Sequence, residues 1–441
     1  MAKEDKATAT LAPKLRFPAF RTTPGWCVKR MDRLYAFMRN NILSRDKLNY
    51  DAGHAKNIHY GDIHTKFPAL FDVTKERTPF VNDTEEVPAA GSEDYCIEGD
   101  IIFADASEDT NDVGKSMEIV RLNGEPVLSG QHTILARRKD ESLIVGFGGY
   151  LFRSGWIRSR IKKEAQGTKV YQISASRLGG IDITYPSEAA EQQKIADCLT
   201  SLDEVIAAQG RKVEALKAHK RGLMQQLFPR IGETSPRLRF PEFRNAPEWK
   251  KVPLGKVAEI KLGKMLDADK QKSGRLLPYV NNISLRWNEV DTSNLPRMYF
   301  KESELERYSL QKGDVLVCEG GVPGRSAVWD GRLPDLKFQK AIHRVRFHVP
   351  FVPKVLVLYL EAIAGTNAFE SLFTGGGIKH LTGETFAKLA IPVMPLPEQQ
   401  RIADCLSSLD TQITAESNQL AALKTHKQGL MQQLFPNTNE K

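Results

Sequence analysis

EQQKIADCLTSLDEVIAAQGRKVEALKAHKRGLMQQLFP, residues 191–229, meets no proline before its last position. It opens on Glu191, Gln192 and Gln193, acidic and polar groups that suit the positive end of a helix. Apolar side chains then recur every three or four residues: Ile195, Leu199, Leu202, Ile206, Val213, Leu216, Leu223 and Leu227. Only Gln209 and Lys220 break the stripe. A sustained seven-residue apolar repeat is the seam of a coiled coil, and proline ends a helix because it has no N–H to donate. The pattern predicts one long spacer helix over residues 187–229. About 38 helical residues make a rod roughly 57 Å long, and so narrow a stripe needs a partner.

The partner is written in the same chain. EQQRIADCLSSLDTQITAESNQLAALKTHKQGLMQQLFP, residues 398–436, matches the first stretch at 26 of 39 positions. Its seam is Ile402, Leu406, Leu409, Ile413, Leu420, Leu423, Leu430 and Leu434, with Glu416 and Lys427 at the two interruptions. The offset interruptions suit an antiparallel pair in which Glu416 approaches Lys220 and Gln209 approaches Lys427. The alternative, each helix packed on its own domain, stays open on pattern alone.

The duplication extends outward from the helices. Leu15-Arg16-Phe17-Pro18 returns as Leu238-Arg239-Phe240-Pro241 at an offset of 223, against 207 for the helices. Between these anchors Asn57-Ile58-His59-Tyr60-Gly61-Asp62-Ile63 faces Tyr279-Val280-Asn281-Asn282-Ile283 at an offset of 220, and Gly99-Asp100-Ile101-Ile102 faces Gly313-Asp314-Val315-Leu316 at 214. Gly114-Lys115-Ser116 faces Gly324-Arg325-Ser326, and Gln131 faces Gln339. Short apolar runs such as 97–103, 143–147, 315–317 and 344–349, set off by Gly, Asp and Asn, read as strands; 353–364 reads as a helix. The expected fold class is therefore mixed α/β (α+β). An N-terminal tail (1–14) leads to a globular domain over 15–186 and the helix 187–229; a second domain over 230–397 leads to the helix 398–436 and a tail (437–441). The helices pair as an antiparallel coiled coil, and the duplication implies pseudo-twofold symmetry.

The chain has 441 residues, 41% of them hydrophobic, and a formal net charge of +9. Such a composition builds real cores and excludes wholesale disorder. No stretch approaches the roughly 18 apolar residues of a membrane span, and the first residues lack the apolar centre of a signal peptide. A soluble, cytoplasmic protein is expected. Cys27, Cys96, Cys198, Cys318 and Cys405 are scattered, with no metal-ligand spacing among them, so no metal is expected.

Catalytic patterns are sought without success. Gly114-Lys115-Ser116 invites a phosphate-binding reading, but Asp109 stands where the first glycine of that loop belongs and would repel a phosphate. Phe147-Gly148-Gly149 is too short for a cofactor loop, no Asn/Asp-Pro-Pro-aromatic segment follows, and Glu259-Ile260-Lys261 lacks an upstream acid for a magnesium nuclease. No catalytic residue and no cofactor of its own are expected. What remains are polar groups on loops. Thr374-Gly375-Gly376-Gly377-Ile378-Lys379-His380 is a glycine-rich, donor-rich loop, and its counterpart around Lys169 follows the basic run Arg158, Arg160, Lys162 and Lys163. Such groups can meet phosphates or base edges. The candidate DNA-binding set is Gln131, His132, Arg158, Arg160, Lys162, Lys163, Lys169, Asn281, Asn282, Arg325, Gln339, Lys340, Gly376, Lys379 and His380.

Ile391-Pro392-Val393-Met394-Pro395-Leu396-Pro397-Glu398-Gln399-Gln400-Arg401-Ile402-Ala403, the run at 254–260, the strand at 312–317 and the two-copy layout resemble the DNA specificity subunit of type I restriction-modification systems. The first copy departs from that helix entry, with Pro186-Ser187-Glu188-Ala189-Ala190 before Glu191. The resemblance implies that each domain is a target-recognition domain reading one half of a split site in double-stranded DNA. It implies that the helices set the spacing and dock two modification (methyltransferase) subunits, and that restriction (motor-nuclease) subunits complete the enzyme. S-adenosylmethionine, ATP and Mg would then belong to the partners, with adenine methylation as their reaction. A duplicated protein-interaction scaffold without sequence-specific DNA binding is the alternative.

Overall fold

The structure, a computed structural model, describes residues 13–83, 85, 94–231, 233–266, 274–375, 377 and 379–436. Both long helices form, over Ala189–Leu227 and Leu396–Leu434, each 39 residues long. The chain divides into two units, and the boundary cuts through both helices: the first unit is Met1–Gln209 with Gln419–Lys441, the second Gly210–Asn418. Each unit thus owns the start of one long helix and the end of the other.

Within each unit those two segments run antiparallel, and charge fixes their register. In the second unit Lys220 Nζ lies 2.6 Å from Asp410 Oδ1 while Lys212 Nζ lies 2.5 Å from Glu416 Oε1, so the numbering rises on one helix as it falls on the other. In the first unit Lys427 Nζ lies 2.6 Å from Asp203 Oδ2. The expected partners, Glu416 with Lys220 and Gln209 with Lys427, are therefore corrected. The cations that interrupt the seam reach past it to the aspartates that follow Leu202 and Leu409, a shift of about two turns. Lys220 also bonds Glu361 Oε1 at 2.9 Å, on the helix Pro353–Ile363. Of the seam residues, Ile195, Leu199, Ile402 and Leu406 are buried, whereas Leu202, Ile206, Leu216, Leu223, Leu409, Ile413, Leu423 and Leu430 are half-buried, as two-helix packing without a surrounding core allows.

Lys220 has a side chain only 7% exposed, against 20% for Lys427. Removing Lys220 takes a buried cation from between two partly exposed carboxylates that keep Lys354, 3.6 Å from Asp410, and Asn288, which donates to Glu361 at 2.9 Å, whereas a more exposed pair contributes little. Lys220→Ala is expected to cost about 2 kcal/mol and Lys427→Ala about 1 kcal/mol in denaturant unfolding. Equal losses would show that burial does not distinguish the two.

The repeated sequence landmarks turn out to be joints. Arg16 grips Glu191 with Nε and Nη2 at 2.7 and 2.6 Å, and Arg239 grips Glu398 at 2.7 and 2.7 Å. The neighbouring glutamines splice each helix start to its domain. Gln192 donates to Pro186 O and accepts from Ile144 N–H; Gln399 donates to Met394 O and accepts from Val352 N–H. At the other end, Leu15 N–H donates to Gln433 O and Leu238 N–H to Gln226 O, both at 2.9 Å.

Each domain is built on an antiparallel sheet of the same order. In the first unit Tyr35–Met38, Thr133–Arg138, Ile101–Ala104 and Ser116–Arg121 lie side by side; in the second, Ala258–Leu262, Ile342–Phe347, Val315–Cys318 and Ser326–Val328 do. The first unit adds Leu70–Asp72, parallel to Ser116–Arg121. The Gly-Asp landmark before the central strand has a backbone reason. Gly99 and Gly313 sit at φ 91° and 94°, where a side chain would strain, and Asp100 and Asp314 close the turn on Ile97 N–H and Gln311 N–H. Each aspartate then pairs with an arginine of the next strand, Arg137 or Arg346. Residues 143–147, expected as a strand, form instead a turn into the helix Gly148–Arg153. Gly146 takes φ 94° there and Gln192 holds Ile144 in place of a neighbouring strand.

The first unit's core gathers Ile195, Ala196 and Leu199 from one long helix with Leu434 and Phe435 from the other. The second unit's core does the same with Ile402, Ala403 and Leu406, and with Met224, Leu227 and Phe228.

Candidate nucleic-acid interface

In each unit one left-handed residue opens the site. His132 (φ 56°) and Ala341 (φ 97°) kink the chain before the strand that follows. Their carbonyls accept from Asp105 N–H and Glu319 N–H, at 3.0 and 2.8 Å. Asp105 O and Glu319 O in turn accept from Ile173 N–H and Leu381 N–H, which seats the next loop against the kink. In that loop Gln166 and Gln172 exchange both backbone hydrogen bonds, and Thr374 and His380 do likewise. Two units of dissimilar sequence thus hold the same three loops by the same hydrogen bonds.

This frame corrects the alignment read from sequence. Gly130 N–H donates to Ile58 O and Gln339 N–H to Val280 O. Gln131 therefore corresponds to Lys340 rather than Gln339, and His59 and Tyr60 correspond to Asn281 and Asn282. Loops of unequal length hide such one- and two-residue slips, because only backbone geometry is kept.

In the second unit the frame collects most of the expected residues. Arg325 donates to Asn282 O, the Gly320 backbone bridges to His380, and Lys340 N–H donates to Lys264 O at 2.7 Å. Lys379 is exposed on the same loop and bonds Glu370 Oε2 at 2.7 Å. Gly376 lies outside the described residues. Two members are structural. Arg325 is held by Asn282 O and lies 3.9 Å from Cys318 Sγ, and Asn281 Oδ1 accepts from Ile283 N–H and Ser284 N–H to close its turn. Among the described residues the side chains of Asn282, Gln339 and Lys340 have no hydrogen-bond partner, so their donors are free for a ligand. Beside them stand Ile283, 81% exposed, and Val322, 45% exposed, apolar groups that the sequence did not single out.

In the first unit the same position carries rings. Tyr60 lies against His59, His64 and His132, with centroids 4.5, 5.9 and 5.2 Å apart. Burial, with Arg45 next, lowers the His59 pKa to about 4, so its imidazole is neutral and Nδ1 accepts from Gly61 N–H. His132 Nδ1 is 3.3 Å from Asp105 Oδ1, whose carboxyl burial pushes up. Asn41 donates to Asn57 Oδ1 at 2.6 Å, and Ile42 beside it is 79% exposed. Gln131 is half-buried at the kink and Lys169 exposed on the paired loop.

The basic run does not act as one patch. Arg158 and Lys162, one turn apart on the helix Gly155–Glu164, both bond Asn111, at 2.7 Å each. Burial lowers the Arg158 pKa to about 10. Arg160 faces the other way, bonding Asp182 O at 3.1 Å with its guanidinium 4.2 Å from the Trp156 ring. Lys163 is exposed. Adjacent residues on a helix point in different directions, so a run of basic letters does not make a basic face. Lys115 in the Gly-Lys-Ser segment donates to His64 O at 2.6 Å, a structural tie.

The family pattern of the type I restriction modification DNA specificity domain matches this chain twice, over residues 77–218 and 247–425, well over half its length. The chain belongs to that family. This specificity subunit is 24% identical over 298 residues to the type I restriction enzyme MjaVIII specificity subunit of Methanocaldococcus jannaschii, covering 65% of this chain and 69% of that one. It is 23% identical over 426 residues to the putative MjaX specificity subunit of the same organism, covering 93% and 92%. To the EcoKI specificity subunit of Escherichia coli K12 it is 24% identical over 311 residues, covering 68% and 66%. Its fold is that of a solved S subunit from M. genitalium, with TM-score 0.55 at 15% identity, over 97% of this chain and 100% of that one. A chain from a study of complex assembly and conformational transition of the type I system gives TM-score 0.56 at 16% identity, over 94% and 98%. The mixed α/β fold with duplicated domains and paired long helices is thus the family's. No helix among the described residues is long and apolar enough to cross a membrane, and no cluster of three metal-ligating side chains occurs among them.

Proposed function

We propose that each unit of this specificity subunit reads one half of a bipartite site in double-stranded DNA. In this reading the long helices, each running from one unit into the other, set the unread gap and dock two modification subunits. The observation that carries this is the pair of equivalent loop frames: one backbone scaffold, held by the same hydrogen bonds, displays Tyr60, His64, Gln131 and His132 in one unit and Asn282, Gln339, Lys340 and His380 in the other. A constant frame with changed side chains is what two different half-sites require. Amide and ammonium donors match purine acceptors in the major groove, and the exposed Ile283 and Val322 suit thymine methyls. The chain supplies the address; S-adenosylmethionine, ATP and Mg, with the restriction subunits that would use the latter two, belong to its partners.

The host methylation pattern gives the site, and affinity for variant duplexes tests the residues. Gln339→Ala and Lys340→Ala are each expected to cost about 1–3 kcal/mol on the intact site. That penalty should vanish when the half read by the second unit is scrambled and persist when the other half is. Equal losses on all three duplexes would reject base reading by these residues.

A further inference from the structure

We infer that one apolar tip in each unit, Ile42 in the first and Met265 in the second, is a wedge that packs between stacked bases of its own half-site and kinks the duplex there. This rests on the bipartite-site reading above and adds to it a part of specificity that comes from how easily a base step deforms. Among the described residues four large apolar side chains are more than half exposed: Ile42, Met265, Leu266 and Ile283, at 79, 57, 55 and 81%. All four lie on loops that border the candidate interface. Exposed apolar groups scattered singly over a surface need no cause, but their collection at the two loop frames does.

Ile42 and Met265 occupy the same place in the two units. Met38 pairs with Leu135 and Lys261 with Arg344, each partner three residues past the left-handed kink, and each tip follows four residues after Met38 or Lys261. The residue before each tip makes the same bond: Asn41 N–H donates to Ser129 O at 2.9 Å and Lys264 N–H to Phe338 O at 3.1 Å. Both residues are also tied by their side chains. Asn41 donates to Asn57 Oδ1 and accepts from Leu43 N–H at 3.1 Å, a turn with Ile42 at its crest, and Lys264 Nζ lies 2.5 Å from Glu304 Oε2. Around the tips the side chains differ, with Tyr60 answering to Asn282, Gln131 to Lys340 and Gly61 to Ile283. The tips stay apolar, Ile42-Leu43 against Met265-Leu266. A residue that reads a base edge must change when the half-site changes, as Ile283 does. The stacked faces of bases are apolar in any sequence, and a side chain with neither donor nor acceptor fits them. Inserting one unstacks a step and kinks the duplex, at a cost that is smallest at flexible pyrimidine–purine steps.

The test uses the full chain assembled with its modification subunits, on duplexes that carry 2-aminopurine, a base whose fluorescence rises on unstacking, at successive positions of each half-site other than the methylated adenines. The wild type is expected to brighten the probe at one step in each half. Ile42→Ala should remove the signal only in the half read by the first unit and Met265→Ala only in the other, each weakening binding about 10-fold with thermal unfolding unchanged. Ile42→Met and Met265→Ile keep an apolar tip and should keep both signal and affinity, which separates a lost wedge from a disturbed loop. No brightened step in the wild type, with binding to the site intact, would overturn the wedge and leave the bipartite-site reading standing. Should uracil in place of a thymine weaken the wild type but not the alanine variant, the tip reads a methyl group and the proposal fails. It fails equally if cutting a tip to alanine releases a modification subunit. A wild-type chain with no preference for the site would overturn the bipartite-site reading and the wedge with it.

Discussion

Replacing Arg239 by alanine is expected to destabilise the second unit by about 3–5 kcal/mol, the cost of breaking a buried ion pair from one side. Glu398 is 1% exposed and Arg239 17% exposed, and the guanidinium meets both carboxylate oxygens at 2.7 Å while also donating to Ala246 O and Pro247 O. Alanine leaves a carboxylate out of water with only the positive end of its helix for compensation, a contribution of about 1 kcal/mol. Arg239→Lys keeps the charge but loses the two-pronged geometry and should recover only part of the loss. Arg16→Ala should do the same to the first unit, since Glu191 is equally buried and holds Arg16 at 2.7 and 2.6 Å. Denaturant unfolding monitored in each unit measures both; losses below about 1 kcal/mol would place these pairs with exposed ones. The effect is large because the joint ties residues 175 positions apart in the first unit and 159 in the second, closing each domain onto its helix.

That joint also shows what the sequence could and could not disclose. The helices were legible because a period near 3.5 residues persisted for ten turns and then recurred, and no other element writes itself so long. The role of Glu-Gln-Gln was not. It reads as a favourable helix start, and only the fold shows Glu191 meeting Arg16 and Gln192 splicing two backbone segments. The register failed for a similar reason: the second carboxylate on Lys220, Glu361, comes from a helix that the heptad pattern does not contain. At the candidate interface, the second unit's frame brings Asn282, Gln339, Lys340 and His380, residues that the sequence pattern singles out, onto neighbouring loops. In the first unit the basic run spreads over different faces of its helix, and the packing of His64 and His132 on Tyr60 rests on a left-handed kink at His132 that no spacing reveals.

A second large effect follows from Glu118, and its sign is unusual for a carboxylate. Glu118 is fully buried on the strand Ser116–Arg121, beneath the helix Gly148–Arg153. One oxygen accepts from Gly149 N–H at 2.7 Å, while the other has no partner among the described residues, nor does the nearby Tyr35 hydroxyl. Burial pushes the carboxyl up to about 7, and the glycine N–H groups pull it back only in part. In the unfolded chain it titrates near 4.5. Below that value both states hold the proton and there is no effect. Between about 4.5 and 7 the unfolded chain releases its proton while the fold retains it, so stability falls as pH rises, by roughly 3 kcal/mol across the window. Glu118→Gln keeps an acceptor for Gly149 N–H and removes the charge. The variant is therefore expected to match the wild type near pH 4.5 and to exceed it by roughly 3 kcal/mol at pH 8, read from unfolding curves over that range. A variant less stable than the wild type at pH 8 would mean that the ionised carboxylate is held by favourable contacts after all. The second copy has Val328 at the matching strand position, so this sensitivity should be confined to the first unit, and Val328→Ala should show no comparable pH dependence.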